Sequence, residues 1–536
     1  MKFNAALSWL ASSLILGCPL LVFPARGQIT PDTTLGTLVN GVTTGCNAAT
    51  CTITGGVTSG NNLFHSFSEF SLLTGNQAAF NNATAIENIF ARVTGTSISN
   101  IDGIISANGT SNLFLLNPNG MIFGSNAQLN IGGSFLATTA SEVVFSDGVF
   151  SATNPGNSVL SINVPLGVQF GSAPGSITNR SQATSNGQTV GLAVPSGKTL
   201  TLLGGDLNLE GGYLTAPQGT IELGSVGDNS SVNLTLNGDN LSLDYAGVQN
   251  FQDINLSQQA IVSTSGGSGI NIQARQLQVT QGSQIATDTD SANPAGNLQV
   301  NTTSLRMDNG FITGTATLGT AGNITIRMEN AILRNNSQIS TTGGGTGDGG
   351  NITITGKNLD PADFLTLLEN SDITSNAFQG NGGRISINVR GLFTCSDCDI
   401  TAASDLGIDG EVELNTPETE ESLEVFEPSE DVVDAQDVVA QACQPNRGDT
   451  ASKFIIVGRG GLPTNPSDLL SSDIIAEFDI PPENISVEVE QAKAQEELPL
   501  PAQGWYVNEG GEVMFTAEVL THPQKPLSTS ADCHDS

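Results

Sequence analysis

The sequence predicts an all-β protein in which short strands stack in repeated coils of the chain. Residues 112–140 contain short apolar runs separated by turn residues, and two short phrases recur about every 27 residues in the second half of the chain. The composition agrees with this prediction. With 62 glycines, 13% charged residues and 5% aromatic residues, the chain differs from a compact enzyme and suits repeated strands that share a narrow core.

Residues 62–140 show the strand pattern most clearly. Asn62–Phe70 alternates apolar and polar positions, which predicts a half-buried strand. Further along, Leu113–Leu116 is apolar and ends at Asn117–Gly120, a turn sequence because proline fixes φ and asparagine and glycine tolerate positive φ. Met121–Phe123 follows and ends at Gly124. None of these runs is long enough for a helix.

A repeat of about 27 residues runs through the second half of the chain. One phrase, a turn followed by a polar residue, isoleucine and threonine or serine or alanine, recurs at intervals of 27, 27, 34 and 27 residues, at Ile285, Ile312, Ile339, Ile373 and Ile400. A second phrase recurs between them at 296–300, 322–326, 350–354 and 383–387. Alternation places the aliphatic side chains of each phrase on one face, so coils of a solenoid would stack them inward. We expect Pro361–Leu368, in the longer interval, to protrude as a loop or short helix.

The N-terminus predicts an export signal over residues 1–27. Lys2 supplies a positive start, Leu7–Val22 is mainly apolar, and Ala25–Gly27 places small residues before a cleavage at Gln28. Cys18 offers an alternative as a lipoprotein acylation site, although its preceding residues fit that motif poorly. Because no later run reaches the ~20 apolar residues of a spanning helix, we expect a mature protein that is soluble outside the inner membrane.

The charge balance argues against two classes of partner. The formal net charge is −35, from 52 acidic and 17 basic residues. Such a chain offers little basic surface to displace counterions from phosphates or to dock on anionic lipid. We therefore expect no nucleic-acid partner and no electrostatic attachment to a membrane.

Cysteine spacing predicts two local disulfides. Cys46 and Cys51 form one close pair and Cys395 and Cys398 form another, as expected for disulfides in an oxidising compartment. The second pair also fits half of a zinc site or a redox motif. Zinc needs four ligands, however, and neither a second such pair nor a nearby histidine is present. The pairing of the two remaining cysteines of the mature chain, Cys443 and Cys533, stays open.

A series of motifs in the first half of the chain carries a resemblance to a known family. The motifs are NLFHSFSEF (62–70), NIFARVTG (88–95), IDGII (101–105), NLFLLNPNGMIFG (112–124) and GGSFLATTA (132–140), in this order and at close spacing. Together they resemble the N-terminal secretion domain of filamentous haemagglutinin-like exoproteins, the passenger proteins of two-partner secretion, in their cyanobacterial version. The resemblance is strongest over residues 28–250 and weaker further along.

The resemblance implies a fold, an export route and one site. The family folds as a right-handed parallel β-helix, and an outer-membrane transporter with periplasmic docking domains recognises its N-terminal domain and passes the chain outward. The family's Asn-Pro-Asn-Gly secretion motif corresponds here to Asn117, Pro118, Asn119 and Gly120. A second family motif, Asn-Pro-Asn-Leu, has no literal match, and the comparable region reads Thr96-Ser97-Ile98-Ser99.

The remainder divides by composition into three regions. Residues 251–403 carry the repeats. Residues 404–440 read as an acidic, solvated linker, because the last 133 residues hold 28 of the 52 acids. Residues 441–536 are expected to form a small C-terminal unit with a flexible tail, and Gly504–Val507 and Glu512–Phe515 suggest a hairpin within it.

The sequence contains no catalytic, metal-binding or cofactor motif with supporting context. His65 lies in a predicted strand, where a hydrogen-bonded structural role is expected, and His522 and His534 lie near the C-terminal end. Arg447–Asp449 matches an integrin-type adhesion tripeptide, but three residues match easily by chance. Gly343–Gly350 resembles one calcium-binding glycine repeat, but such sites need consecutive copies, so we predict a turn between coils.

These observations predict an exoprotein that is secreted or held at the cell surface and acts by contact as an adhesin or structural surface protein. Its ligand would be a component of a host or neighbouring cell surface, or a polysaccharide. The alternative is a polysaccharide lyase or hydrolase, because β-helices also carry such enzymes. The nearest carboxylate pairs, Asp288/Asp290 and Asp397/Asp399, have turn explanations. A third class, toxin carriers, fits less well because the acidic C-terminal region offers no basic nuclease-like domain.

Overall fold

The computed structural model describes residues 28–416, except 239 and 267–268, and the backbone of residues 504–507 and 513–516. The chain divides into two compact units, residues 1–431 and residues 432–536. Within the described residues the helices are two single 3₁₀ turns, Pro155–Asn157 and Lys357–Leu359. No helix in this part of the chain is long and apolar enough to cross a membrane.

The first unit is a parallel β-helix, which confirms the predicted all-β fold. Sheet 1 stacks the strands Asn62–Phe70, Asn88–Val93, Asn112–Leu116, Phe135–Thr138, Thr199–Gly204, Thr220–Ser225, Ile270–Gln273, Leu298–Asn301, Ile324–Arg327, Ile352–Thr355, Arg384–Thr394 and Glu411–Asn415. Sheet 2, around the next corner, stacks Ser99–Ile101, Met121–Phe123, Ile177–Asn179, Leu207–Glu210, Asp253–Ser257, Gln276–Thr280, Ser304–Asp308, Asn330–Arg334 and Ala362–Leu367. Arg384–Thr394 is long enough to pair in sheet 1 with its first residues and in sheet 2 with its last.

The third side of the β-helix consists of two further parallel sheets. Sheet 3 stacks Thr50–Gly55, Gln77–Phe80, Ile104–Ala107 and Gln128–Asn130 in the first coils. Sheet 4 stacks Leu192–Ala193, Tyr213–Pro217, Ile261–Ser265, Gln284–Ala286, Phe311–Ala316, Gln338–Gly343, Asp372–Ala377 and Ile400–Thr401 in the later coils. Each complete coil therefore contributes one strand to each of three sides.

The core consists of files of apolar, mostly aliphatic side chains, with one residue from each coil. The predicted isoleucine repeat forms such a file in sheet 4, in the register Ile285, Ile312, Ile339, Ile373 and Ile400. The second repeat forms another file in sheet 1, with Leu298, Ile324, Ile352 and Ile385 in register. All except Ile400 are fully buried. Because burial of such a side chain is worth about 1.5–3 kcal/mol, each of these residues contributes to the stability of its coil.

The structure contradicts the predicted protrusion at Pro361–Leu368. Ala362–Leu367 is instead the sheet 2 strand of its coil, and its inward residues Leu365 and Leu367 are buried. These apolar residues alternate at strand spacing, which explains their place in the stack. The 3₁₀ turn Lys357–Leu359 precedes the strand and lies in the longer interval.

An antiparallel sheet, here named the covering sheet, lies over the outer face of sheet 1 in the first coils. Its strands are Glu142–Phe145, Gly148–Ser151, Gly167–Gln169, Ser231–Asn237 and Asn240–Asp244. It encloses a hydrophobic cluster in which Phe64 and Phe114 both stack on Phe90, with ring centroids 5.1 and 4.6 Å away. The prediction that Asn62–Phe70 is only half-buried is therefore wrong, because a second protein layer covers its outward side chains.

Residues before the first coil occupy the N-terminal edge of the stack. Ile29–Pro31 pairs antiparallel with Asn62–Phe70, and Thr37–Val39 pairs antiparallel with Thr50–Gly55. Val57–Ser59 adds a hairpin to the same first strand of sheet 1. Pairing of this edge leaves fewer unpaired backbone groups for another chain to join.

The β-helix extends beyond residue 403, where the acidic linker was predicted to begin. Glu411–Asn415 pairs with Arg384–Thr394 in sheet 1. Its two acidic residues do not oppose strand formation, because both approach the guanidinium of Arg384: Glu411 lies 3.7 Å away and Glu413 lies 2.6 Å away.

In the second unit, Gly504–Val507 and Val513–Thr516 pair antiparallel, which confirms the predicted hairpin. Several other predictions concern residues outside the described ranges: the signal at 1–27 with Cys18, the acidic run at 417–437, Arg447–Asp449, Cys443, Cys533, His522 and His534.

Candidate functional site

Asn117–Gly120 forms the corner between sheet 1 and sheet 2 in one early coil. It joins the strands Asn112–Leu116 and Met121–Phe123. The amide of Gly120 donates to the carbonyl oxygen of Asn117 at 3.1 Å and closes the turn. All four residues of the predicted motif therefore belong to one tight corner of the β-helix.

The side chain of Asn117 ties this corner to the preceding coil. Its Nδ2 donates to the carbonyl oxygen of Ser97 at 3.0 Å and to Oγ of Ser99 at 2.9 Å. Its Oδ1 accepts from the amide and from Nδ2 of Asn119, both at 3.0 Å. Because Asn117 is fully buried, loss of its amide would leave polar groups without partners.

The following coil packs against the other side of the corner. The amide of Gly175 donates to the carbonyl oxygen of Pro118, and the amide of Met121 donates to that of Ser176, both at 3.0 Å. Gly120 has φ +119°, and a Cβ at this position would lie 2.9 Å from the carbonyl oxygen of Ser176. Both the backbone conformation and the close approach require glycine.

The corner exposes only part of the motif. Asn117 and Gly120 are buried, Pro118 is half-buried and Asn119 is exposed. Asn119 also donates from Nδ2 to the carbonyl oxygen of Gly95 at 2.8 Å. The surface that another protein can reach here is therefore formed by Pro118 and Asn119.

Arg92 is a buried cation that sequence reasoning missed. It lies beneath the covering sheet and is 0% exposed. Its hydrogen-bond acceptors come from three parts of the chain: Ser66 Oγ at 2.7 Å, the Ser151 carbonyl oxygen at 2.6 Å, Ser158 Oγ at 2.5 Å and Thr34 Oγ1 at 3.2 Å. Its guanidinium also lies 4.5 Å from the ring centroid of Phe150. Arg92 thus joins the N-terminal segment, the first coils and the covering sheet.

Asp32 is the acidic member of the same network. Burial raises the pKa of Asp32, but hydrogen bonds from Ser66, Thr34 and Thr94 together bring it below its ordinary value. Burial lowers the pKa of Arg92 to about 10, and the charge of Asp32 opposes this effect. Arg92 is therefore charged at neutral pH. Its signal in the sequence was an arginine inside an otherwise apolar strand.

His65 faces the core of the first coil. It is 1% exposed, and its Nδ1 lies 3.2 Å from Oγ1 of Thr37. Burial lowers the pKa of His65 to about 4, so the ring is neutral at physiological pH. This environment agrees with the structural, hydrogen-bonded role predicted from the sequence.

Glu222 is a buried carboxyl near the end of the covering sheet. It is 3% exposed and accepts a hydrogen bond from Nδ2 of Asn271 at 2.8 Å. Burial raises the pKa of Glu222 to about 7, although this hydrogen bond opposes the shift. The buried hydroxyl of Tyr245 has no hydrogen-bond partner among the described residues, and burial, followed by the charge of Glu222, raises its pKa well above the ordinary value.

The four candidate disulfide cysteines are paired in the structure as the sequence suggests. Cys46 is bonded to Cys51 with Cα atoms 5.9 Å apart, and Cys395 is bonded to Cys398 with Cα atoms 5.1 Å apart. The carboxylate of Asp397 and the sulfurs of the second pair lie within 4.8 Å of one another. Because metals bind the thiolate form of cysteine, this group does not offer a metal site while the disulfide is intact.

Comparisons with known proteins agree with this architecture. Residues 27–275 match the family model described as the TPS secretion domain. The crystal structure of the HMW1 secretion domain from Haemophilus influenzae is similar with a TM-score of 0.53 and 18% sequence identity, covering 73% of this chain and 100% of that chain. At this identity the likeness shows the fold alone, and no curated protein matches the chain. Residues 27–275 therefore carry a TPS secretion domain, which supports a passenger protein of two-partner secretion of the filamentous haemagglutinin-like kind and implies an outer-membrane transporter and export to the cell surface or extracellular space.

Proposed function

We propose that this exoprotein acts by contact after export, as an adhesin or a structural surface protein. The observation that carries the proposal is the continuous stack of coils, whose outer face becomes polar beyond the covering sheet. One outward file of sheet 1 reads Asn271, Gln299, Thr325 and Thr353 in register. A solenoid with such a face offers an extended, regular surface to a cell-surface component or a polysaccharide.

We further propose that the Asn117–Gly120 corner serves export in two different ways. Asn117 and Gly120 act through folding, since both are buried against neighbouring coils. Pro118 and Asn119 form the reachable surface of the corner, and we assign to them the contact with the periplasmic docking domains of the transporter. Variants of the two buried residues should therefore lose stability, whereas variants of the two reachable residues should lose export without losing stability.

A polysaccharide lyase or hydrolase is the less supported alternative. The carboxylate of Asp288 accepts hydrogen bonds from Oγ1 of Thr313 at 3.3 Å and from the amide of Thr315 at 3.0 Å. That of Asp290 accepts one from Oγ1 of Thr317 at 3.2 Å. These acids therefore form contacts between neighbouring coils. That role gives no support to either of them as a general acid or base.

An attachment assay tests the contact role. A strain that lacks the chain should lose adhesion or surface-matrix integrity, and the wild-type gene should restore it. Unchanged adhesion and matrix in the deletion strain would contradict the proposal. Cleavage of pectin-like or uronate polymers by the purified chain would instead favour the enzyme.

A further inference from the structure

We propose that a cleft at the end of the covering sheet binds a carboxylate-bearing saccharide, such as a uronic acid unit of an extended glycan. The cleft has a volume of about 630 Å³, which lies in the range of small-ligand sites. Tyr245 and Phe251 form one side, and Gln273, Asn301 and Arg327 of sheet 1 form part of the other. The proposal deepens the contact role proposed above and rests on it.

The sheet 1 side of the cleft is an ordered file of polar groups. Gln273, Asn301 and Arg327 occupy the same register position in successive coils. Because neighbouring strands are about 4.8 Å apart, the file presents two amides and a guanidinium at even intervals. This spacing suits polar groups on successive units of a glycan that lies along the β-helix axis.

The file is covered in the earlier coils and emerges only at the cleft. Leu203 and Gly224 precede Gln273 in register. A Cβ at Gly224 would lie 2.1 Å from the hydroxyl oxygen of Tyr245, so the tyrosine lies directly over the file at this coil. The next three coils leave their side chains half-buried and in contact with the cleft. The file is therefore covered by protein in the earlier coils and accessible to a ligand in the later ones.

The chemistry of the lining selects an anionic ligand that also has an apolar face. Arg327 forms no ion pair among the described residues, and its Nη1 makes one long hydrogen bond, 3.4 Å, to Asn301 Oδ1. Lys357 adds a second cation, which Glu329 partly neutralises at 2.9 Å, and Asp244 is the acid of the lining. A guanidinium binds a carboxylate through paired, charge-assisted hydrogen bonds.

The aromatic side supplies the apolar contact. The Tyr245 and Phe251 rings are half-buried, and their centroids lie 6.0 Å apart. Rings of this kind combine large contact area with a small entropy cost on binding. The C–H face of a pyranose can pack on them while its carboxylate reaches Arg327.

Calorimetric titration of the secreted full-length chain with tetragalacturonate at low salt tests the proposal. We expect binding that weakens roughly 10- to 100-fold in Arg327→Gln, weakens in high salt, and is at least about tenfold weaker for the methyl-esterified tetrasaccharide. Arg306→Gln is the matched control. It removes the same charge from an exposed position on sheet 2 and should leave the affinity unchanged.

Two outcomes would overturn the proposal: no binding by the wild-type chain, or equal binding of the acid and its ester. Equal weakening of binding in Arg306→Gln would mean that only the net charge of the chain matters, and this result would also overturn the proposal. Lys357→Gln gives a second test at the far end of the cleft, and the urea midpoint of each variant checks its fold. Intact cell attachment without glycan binding would overturn this inference and leave the proposed contact role standing, whereas attachment that does not need the chain would overturn that role.

Discussion

Replacement of Asn117 by alanine tests whether the corner motif acts through the fold. The change removes two donated hydrogen bonds, to Ser97 and Ser99, and the two that Oδ1 accepts from Asn119. Ser99 is 1% exposed, so its hydroxyl would lose a partner that water cannot easily replace. Because an unsatisfied buried group costs about 1–3 kcal/mol, we expect a loss of about 2–4 kcal/mol in the free energy of unfolding.

Two measurements on each variant separate folding from recognition. Urea unfolding of the purified chain reports stability, and the amount of chain in the culture medium reports export. Asn119→Ala is the matched control, because it removes the same amide from an exposed position on the same turn. We expect it to lower the free energy of unfolding by less than about 1 kcal/mol but to reduce export, because the proposed transporter contact includes this side chain; export at the wild-type level would contradict that contact.

One result would refute the reasoning about Asn117. If Asn117→Ala unfolded at the wild-type urea concentration and yet was not exported, the buried amide would have to act in recognition, for example in a chain that meets the transporter before folding. If Asn117→Ala were destabilised and still exported at the wild-type level, export would not depend on the stability of this corner.

Three further predictions concern buried ionisable side chains. Arg92→Met should lower the free energy of unfolding by about 3 kcal/mol or more, because it leaves the hydrogen-bond partners of a buried cation unpaired. Urea unfolding of this variant, compared with Arg92→Lys, measures the loss. His65 has a folded pKa of about 4, below its unfolded value of about 6.5. The unfolded chain therefore binds more protons between these values, and the wild type should lose up to about 3 kcal/mol from pH 6.5 to 4. His65→Gln should lack that part of the loss in a pH series of urea midpoints. Glu222 has a folded pKa of about 7, above its unfolded value, so its stabilising contribution should be lost as pH rises from about 4.5 to 7. Glu222→Gln should therefore gain stability relative to the wild type between pH 5 and pH 8 in the same assay.

The stack of coils was predictable because its main interaction recurs at a constant sequence interval. Ile285, Ile312 and Ile339 stack on one another. Each coil places isoleucine at the same inward position, so the pattern is visible in a single sequence. The corner at Asn117–Gly120 was predictable as a turn for a local reason, since its residue types restrict φ. Its burial was not, because that depends on coils that contact it from both sides.

The covering sheet and the Arg92 network were not predictable in the same way. Gly167–Gln169 pairs with Ser231–Asn237 across about sixty residues, and this pairing occurs once, so it leaves no periodic trace. Arg92 donates hydrogen bonds to segments that are remote in sequence, such as Thr34 and Ser158. An arginine within an apolar strand signals an unusual environment but does not identify the partners.

The outward file of sheet 1 changes in character along the stack. It reads Phe64, Phe90, Phe114 and Leu136 in the first coils and then Thr201, Glu222 and Asn271 in the later ones. The inward file beside it stays apolar throughout, from Leu113, Phe135 and Leu200 to Ile270 and Leu298. The outer face of sheet 1 therefore changes from apolar to polar within the secretion domain, whereas the core beside it stays apolar. Substitutions of inward residues should impair export and contact together, because both depend on the same stack, whereas outward substitutions on either side of the change should impair one and spare the other.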